Sequence, residues 1–220
     1  MKKNAQDYFD FSNDDFLMIT SNINNQSNIN MFLDKINLDI NKLCKVKQTH
    51  SNKVIFIDKA GNYEEADGLF TTINNKLILS ISTADCIPIF LFDKLSGVYG
   101  LVHAGWKGVV KNIHLNAIDK FCHHGSKIEN INIFLGPFIK KCCFEIRDDI
   151  IENFDKKYII IKSNKKYIDL LNLVIDGFIN TGLNKKNIKY SSICTYDDDE
   201  CYSYRRSSTS ERMHSIMISK

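Results

Sequence analysis

Three apolar segments of strand length follow one another in the middle of the chain, and they constrain its fold more than any other feature. They span residues 77–82, 87–92 and 98–103, and a turn-like segment at 93–97 joins the last two. Further strands are predicted at 54–58, 131–135, 158–161, 191–194 and 215–218. These segments predict a core built mainly from β-sheet.

Helices are predicted between these strands and do not alternate with them regularly. In the segment 107–122, apolar residues recur at helical spacing and Gly125 follows the end. The other predicted helices span residues 28–38, 148–154 and 167–180. Because the order is mixed, it favours the α+β class over a doubly wound parallel sheet. At 220 residues, we expect a single domain over 1–220.

Composition excludes several classes of protein. Hydrophobic residues make up 44% and charged residues 25%, as in ordinary globular proteins. The net charge of +3 is too small to indicate a nucleic-acid or membrane partner. No apolar run approaches the roughly 18 residues that span a membrane, and the N-terminus lacks the apolar region of a secretory signal. Seven cysteines, an odd number, suggest free thiols. We therefore expect a cytoplasmic protein.

Three polar segments stand where predicted strands begin or end, and each contains one good metal ligand. They are residues 48–52, 82–86 and 102–108, which contain His50, Cys86 and His103 respectively. The ligands are too widely spaced for a zinc finger, whose ligands come in close pairs. They suit a site assembled from separate strand ends, with a fourth position left open as in catalytic zinc sites.

The spacing alone leaves three alternatives open. The first is the three-ligand metal site, and the second is Cys86 acting as a nucleophile with His103 as its base. The third is no site at all, because a lone cysteine after a strand usually packs in a core. Two interpretations are equally open for the Gly105–Gly108 turn after His103. Its backbone amides could bind an anion at a helix N-terminus, or it could be an ordinary strand-to-helix turn.

Several other polar residues lie in segments that could contribute to a site. Arg205 and Arg206 follow two tyrosines, and arginine can bind phosphate while aromatic rings stack on a base. The alternative is a solvated, charged strand end. His114 is predicted on the polar side of its helix. Cys142 and Cys143 are adjacent, so in an extended chain their side chains would diverge, which argues against a joint metal site.

Six segments together resemble one bacterial family. They read QTHSNKV, EADGLFTT, STADCIPI, GLVHAGWKG, LGPFIKKCCFEI and CTYDDDECYSYRRS. The chain resembles the laccase-domain or multicopper polyphenol oxidase family, which is also described as peptidoglycan-editing factor and as purine nucleoside phosphorylase. The resemblance covers residues 45–218 and leaves a divergent part at 1–44. It implies mixed β-sheets packed as a sandwich and flanked by helices.

The resemblance also implies a function. The family's zinc ligands fall on His50, Cys86 and His103, which we therefore take as metal ligands and catalytic residues. The implied activities are phosphorolysis of adenosine, inosine and methylthioadenosine, and deamination of adenosine. The partners would be purine nucleosides and phosphate, and the protein would be a monomer or homodimer.

Two other activities stay open. The oxidase name implies copper, but six histidines are too few to bind the four copper ions of a multicopper oxidase. Oxidase activity is therefore ranked below nucleoside chemistry. The other activity is a cysteine hydrolase or amidase acting on peptidoglycan precursors, with Cys86 as nucleophile and His103 as base. A protein that binds purines without turnover would use the same pocket.

Substrate-binding residues are expected around the metal ligands. Asp67 and Asp85 are candidates either to contact substrate or to orient a ligand histidine. The full set of candidates is Gln48, Asp67, Asp85, Lys107, Arg205 and Arg206. The chain departs from the family at residues 18–30, where a Thr-Arg-x-Gly-Gly-type loop is usual but neither arginine nor glycine occurs. This departure suggests an altered substrate preference.

Overall fold

The computed structural model describes residues 8–25 and 28–220, and their fold is α+β. One mixed sheet has the strand order β1-β2-β15-β7-β3-β5. Its strands are β1 (Tyr8–Asp10), β2 (Phe16–Ser21), β3 (Leu43–Val46), β5 (Gly61–Tyr63), β7 (Ile78–Thr83) and β15 (Met213–Ser219). The strand β15 pairs antiparallel with both β2 and β7. The beginning and the end of the described chain therefore share one sheet.

A second mixed sheet has the strand order β14-β10-β8-β9-β6-β4. Its strands are β4 (Val54–Phe56), β6 (Gly68–Thr72), β8 (Ile87–Asp93), β9 (Val98–Ala104), β10 (Asn132–Leu135) and β14 (Ile188–Tyr190). A small third sheet contains β11 (Glu145–Ile146), β12 (Ile159–Lys162) and β13 (Lys165–Ile168).

The two large sheets pack face to face. Met18 and Leu79 of the first sheet lie in one apolar cluster with Phe90, Tyr99 and Leu101 of the second. Because side chains alternate across a strand, the neighbours of these residues point to the opposite faces. Both faces of β8 and β9 are buried, which explains their nearly continuous apolar sequences.

Helices cover the outer faces of this sandwich. They are α1 (Ile29–Lys35), α2 (Trp106–Val110), α3 (Ile113–His123), α4 (Asp148–Ile151), α5 (Leu170–Asn180) and α6 (Tyr204–Ser207). Phe32 of α1 packs on the first sheet beside Ile216. Phe121 of α3 and Phe178 of α5 pack on the second sheet beside Val102. The predicted class, mixed sheets flanked by helices, is confirmed.

Most predicted helices and strands are present, but the structure also contains strands that were not predicted, among them β2, β3 and β6. Residues 167 and 168 of the helix expected over 167–180 belong to strand β13. Three further differences have a clear physical reason. The helix expected over 107–122 is divided into α2 and α3, because Asn112 adopts a left-handed backbone with φ of 64°. The strand expected at 191–194 lies earlier, at β14, and Cys194 makes only an isolated bridge to Phe138. His114 is not on a polar face: it is 1% exposed and packs against Phe178.

The N-terminal part was the least accessible to prediction. Among the described residues, the segment 21–30 comprises the end of β2, a 3-10 turn at Ile23–Asn25 and the beginning of α1. Residues 26 and 27 of that segment, and 1–7 of the divergent part, lie outside the described residues.

The two large sheets bring three chain segments together at one edge of the sandwich: the loop after β3, the residue before β8 and the end of β9. The strands β8 and β9 pair so that Ile87 lies opposite Ala104, which places Cys86 beside Gly105. Among the described residues, no helix has the length and apolar character needed to cross a membrane.

Candidate metal centre and substrate cleft

His50, Cys86 and His103 meet at this edge, as the sequence predicts. His50 lies in the loop after β3, Cys86 directly precedes β8, and His103 lies near the end of β9. Their potential ligand atoms all lie within 4.8 Å of one another. The Sγ atom of Cys86 is 4.0 Å from Nε2 of His50, and the two imidazole rings are nearly perpendicular.

Asp67 accepts hydrogen bonds from two of these three residues. It is fully buried, and its Oδ1 accepts a hydrogen bond from Nδ1 of His103 at 2.8 Å. The same Oδ1 accepts from the backbone N–H of His50 at 3.0 Å. Its Oδ2 accepts from the backbone N–H and the hydroxyl of Ser51, at 2.6 and 2.7 Å. One carboxylate therefore orients the His103 ring and shapes the loop that presents His50.

The backbone at the centre is tightly constrained. His50 adopts φ of 56°, in the left-handed region that non-glycine residues seldom occupy. At Gly105, an added Cβ would lie 2.8 Å from Cδ2 of His50 and 3.0 Å from Sγ of Cys86. Only glycine lets the chain pass this close to both side chains.

Asp85 joins the centre to the C-terminal segment. It also has a positive φ, of 88°. Its Oδ1 accepts from the hydroxyl of Thr195 at 2.6 Å and its Oδ2 from the backbone N–H of Arg205 at 2.7 Å. Its carbonyl oxygen accepts from the N–H of Ile139. These contacts hold the backbone of Arg205 against Asp85, which directly precedes Cys86 in the chain.

The ionisable groups of the centre are strongly coupled. Burial raises the pKa of the Cys86 thiol, but the neighbouring imidazoles of His103 and His50 outweigh it and bring the pKa down to about 6. Burial also disfavours the charged form of His103 and so lowers its pKa. The adjacent Cys86 sulfur and Asp67 carboxylate outweigh this effect and raise the pKa to about 9. Burial opposes ionisation of Asp67, but hydrogen bonds from His103 and Ser51 hold its pKa well below the usual range.

The donor set fits a metal ion. Two imidazoles and a thiolate are typical zinc ligands, and the hydrogen bond from Nδ1 of His103 to Asp67 leaves Nε2 to face the centre. Typical zinc bond lengths place nitrogen and sulfur ligands about 3.6 Å apart in a tetrahedron, slightly closer than the 4.0 Å between Cys86 and His50.

A cleft of about 680 Å³ surrounds the centre. This volume lies within the range of small-molecule binding sites. Its lining combines the three candidate ligands with aromatic rings and cationic side chains. The lining residues are Gln48, His50, Ser82, Thr83, Ala84, Asp85, Cys86, His103, Trp106, Lys107, Ile139, Phe144, Leu170, Tyr204, Arg205 and Arg212.

The candidate substrate-binding residues have different surroundings. Lys107 and Arg205 line the cleft, and Arg205 lies over the ring of Phe144 while donating to the carbonyl of Glu145. Gln48 also lines the cleft, but both ends of its amide pair with the backbone of Ser82.

Arg206 does not line the cleft. Its guanidinium donates to the carbonyl oxygens of Thr195, Tyr196, Asp198 and Cys201, so it holds the preceding loop together. This difference from Arg205 follows from α6, because neighbouring residues of a helix face different directions. The segment was not expected to be helical.

The sequence did not single out several cleft residues. Trp106 and Phe144 contribute aromatic surface to the cleft, and Arg212 contributes a third cationic side chain. The position of Trp106 directly after the His103 segment was a usable signal. Phe144 had none, because it enters the cleft through a turn that the sequence did not predict.

Comparisons with known proteins identify the family of this chain. The chain belongs to the family described as multi-copper polyphenol oxidoreductase laccase, whose model matches residues 12–220. It is 31% identical over 240 aligned residues to a purine nucleoside phosphorylase of Clostridium acetobutylicum, covering 100% of this chain and 98% of that one.

Two further proteins are similar over most of the chain. A protein named adenosine deaminase RL5, from an unknown prokaryotic organism, is 29% identical over 179 residues, covering 73% of this chain and 68% of its own. The crystal structure of YlmD from Geobacillus stearothermophilus superimposes with a TM-score of 0.89 at 17% identity, covering 100% of this chain and 98% of that one. The latter likeness concerns the fold.

Proposed function

We propose that the chain is a zinc-dependent purine nucleoside phosphorylase that acts on adenosine, inosine and methylthioadenosine and also deaminates adenosine. The names of its relatives support nucleoside chemistry. The observation that carries the proposal is the joint placement of His50, Cys86 and His103 in a cleft that also contains cationic and aromatic side chains.

Phosphate is the substrate that the cationic side chains would bind. Arg205 offers a planar guanidinium, which suits bidentate contacts with phosphate oxygens, and Lys107 adds a second positive charge. The link from Asp85 to the backbone of Arg205 fixes the segment that carries this charge in the cleft that contains the candidate ligands. In phosphorolysis, phosphate attacks C1′ of the nucleoside as the purine base leaves.

The purine would lie against the aromatic lining. Trp106, Phe144 and Tyr204 offer rings of suitable size, and stacking requires no particular substituent on the base. This tolerance fits a set of substrates that share only the purine ring and ribose.

His50, Cys86 and His103 would hold the zinc ion. When bound, zinc supplies a Lewis acid and lowers the pKa of a coordinated water toward about 7. Asp67 maintains the tautomer of His103 that directs Nε2 to the centre. Cytoplasmic location and a monomeric or homodimeric state stay predictions.

A cysteine hydrolase acting on peptidoglycan precursors is the second candidate. The observation that favours it is the order Cys86, His103, Asp67, in which a carboxylate orients an imidazole beside a thiol. In this case Cys86 would give its proton to His103 and attack an amide carbon. His103 would then protonate the amine as the carbon–nitrogen bond breaks, and water would hydrolyse the resulting thioester. His50 would have no required part.

The test is a substrate panel with and without phosphate, analysed by chromatography. The phosphorylase predicts free purine base and ribose 1-phosphate only when phosphate is present, and loss of activity after dialysis against a chelator. The hydrolase predicts phosphate-independent cleavage of a peptidoglycan-derived amide that survives the chelator. The absence of base release from any purine nucleoside would reject the phosphorylase.

A further inference from the structure

A second cluster of potential metal ligands lies outside the three-residue centre. It contains the side chains of Cys142, Cys143, Cys194 and Asp197, whose ligand atoms all lie within 4.8 Å of one another. The Sγ atoms of Cys142 and Cys194 are 3.7 Å apart, and those of Cys142 and Cys143 are 3.2 Å apart. A carboxylate oxygen of Asp197 lies 3.2 to 3.3 Å from each of the latter two sulfurs.

Two turns create this convergence. The backbone N–H groups of Cys143 and Phe144 both donate to the carbonyl of Lys140, which bends the chain at the adjacent cysteines. The N–H of Asp197 donates to the carbonyl of Cys194, which returns the carboxylate to the same side. The prediction that neighbouring cysteines would diverge is therefore wrong, because it assumed an extended chain.

The chemistry of the cluster suits zinc. Three thiols and a carboxylate form a complete four-ligand set, as in closed structural sites. In a tetrahedron with typical zinc bond lengths, sulfur atoms lie about 3.8 Å apart and sulfur and oxygen about 3.6 Å apart. The 3.7 Å between the Cys142 and Cys194 sulfurs matches the sulfur–sulfur value. The 3.2 Å between the Cys142 and Cys143 sulfurs and the sulfur–oxygen distances of 3.2 to 3.3 Å are shorter, so binding an ion would move these ligand atoms apart. The backbone N–H of Lys140 also donates to Sγ of Cys194 at 3.4 Å, a contact that stabilises an anionic sulfur.

A disulfide explains the arrangement less well. It would join two of the three sulfurs and leave the third thiol and the carboxylate without a role. The Cys143 sulfur has both Asp197 oxygens within 3.3 Å, and a carboxylate gains nothing from a neutral disulfide. Cys142 and Asp197 are exposed, so an ion has a path from solvent.

We propose that Cys142, Cys143, Cys194 and Asp197 bind one zinc ion, which ties the turn at 140–144 to the turn at 194–198. Binding releases the thiol protons to solvent as the thiolates coordinate the ion. The site has a structural role, because all four positions are filled by the protein.

By joining these two turns, the zinc ion would stabilise one side of the cleft. Phe144, next to Cys143, lines the cleft, and Thr195, next to Cys194, holds Asp85 through a 2.6 Å hydrogen bond. The second zinc ion would therefore fix the surroundings of the first centre without contacting substrate.

Metal content of the full-length protein tests this inference, measured by mass spectrometry after purification without a metal-affinity tag or chelator. Wild type should hold about two zinc ions per chain, and Cys194→Ser and His50→Ala should each lose about one. Cys122→Ser is the matched control, because this exposed cysteine lies outside both clusters, and it should keep both ions. If the three-residue centre binds no zinc, the Cys194→Ser loss still reports on this site alone.

Asp197→Asn provides a second variant in case Cys194→Ser fails to fold. It keeps the side chain's shape and removes one anionic ligand, so it should weaken zinc binding roughly 10-fold or more in competition with a chromogenic chelator. Equal zinc content in wild type and Cys194→Ser would overturn the proposal. A disulfide within this cluster would also overturn it. Such a disulfide would lower the mass of the unreduced wild-type protein by two hydrogens, and both oxidised cysteines would map to this cluster.

Discussion

The Nδ1 atom of His103 donates to Oδ1 of Asp67 at 2.8 Å, and both side chains are buried. Because Asp67 also accepts from the loop that carries His50, it connects two candidate ligands that are distant in sequence. The arrangement of the candidate metal centre therefore depends on a residue that does not line the cleft. Asp67 and Asp85 were both expected to act on substrate or on a ligand histidine, and the geometry of Asp67 supports the latter.

Asp67→Asn should weaken zinc binding at the three-residue centre. The amide keeps the size of the carboxylate but loses its charge, so His103 is held less firmly in the required tautomer. We expect affinity to fall roughly 10- to 100-fold, measured by chelator competition. Asp119→Asn, at an exposed position, should leave affinity unchanged. Unaltered affinity in Asp67→Asn would show that His103 needs no such support.

Arg205→Gln should raise the KM for phosphate. A charge-assisted hydrogen bond contributes about 1.5 to 3 kcal/mol, which corresponds to roughly a 10- to 100-fold increase in KM. Initial rates at varied phosphate concentration measure it. Arg206→Gln is the matched comparison: it removes donors from several backbone carbonyls and should lower thermal stability while changing the KM less. Equal KM values in wild type and Arg205→Gln would remove this residue from the phosphate site.

His114 should make the protein less stable in acid. Burial lowers its pKa from 6.5 to about 4, and among the described residues its Nδ1 has no hydrogen-bond partner. Between these two pKa values the unfolded chain binds a proton that the folded protein does not, so stability falls as pH decreases from 6.5 toward 4. Over this pH range the protonation of His114 would lower the free energy of unfolding by about 3 kcal/mol.

His114→Leu should remove this part of the pH dependence of unfolding free energy, measured by urea denaturation at several pH values. His123→Gln is the control, because His123 is exposed on the same helix and should retain the wild-type profile. An unchanged acid dependence in His114→Leu would assign the effect to other groups.

The central strands were predictable because their signal is strong and local. The strands β8 and β9 are buried on both faces, so their sequences are apolar almost throughout. Short strands at sheet edges, such as β5 and β11, carry few apolar residues and gave no comparable signal. The candidate ligands lie next to predicted strands, but this position alone left the metal site, a Cys86–His103 pair and no site all open, and the ligand set came from the family resemblance.

Other features depend on tertiary contacts that a single segment does not reveal. His114 is buried because α5 has Gly177 opposite it, where an added Cβ would lie 2.5 Å from the imidazole. The Cys142 and Cys143 side chains converge only because the chain turns at Lys140 and the segment of Cys194 packs beside it. Helical periodicity and residue spacing contain no information about either arrangement.

The most direct test of the account is phosphorolysis by wild type and His50→Ala, with zinc content determined on the same samples. His50 is a metal ligand in the phosphorylase mechanism but has no part in a Cys86–His103 hydrolase. We predict that His50→Ala remains folded, loses the zinc of the three-residue centre and cleaves purine nucleosides at least 100-fold more slowly, as loss of a metal ligand implies. Full phosphorolysis by a His50→Ala protein that lacks this zinc would contradict the account.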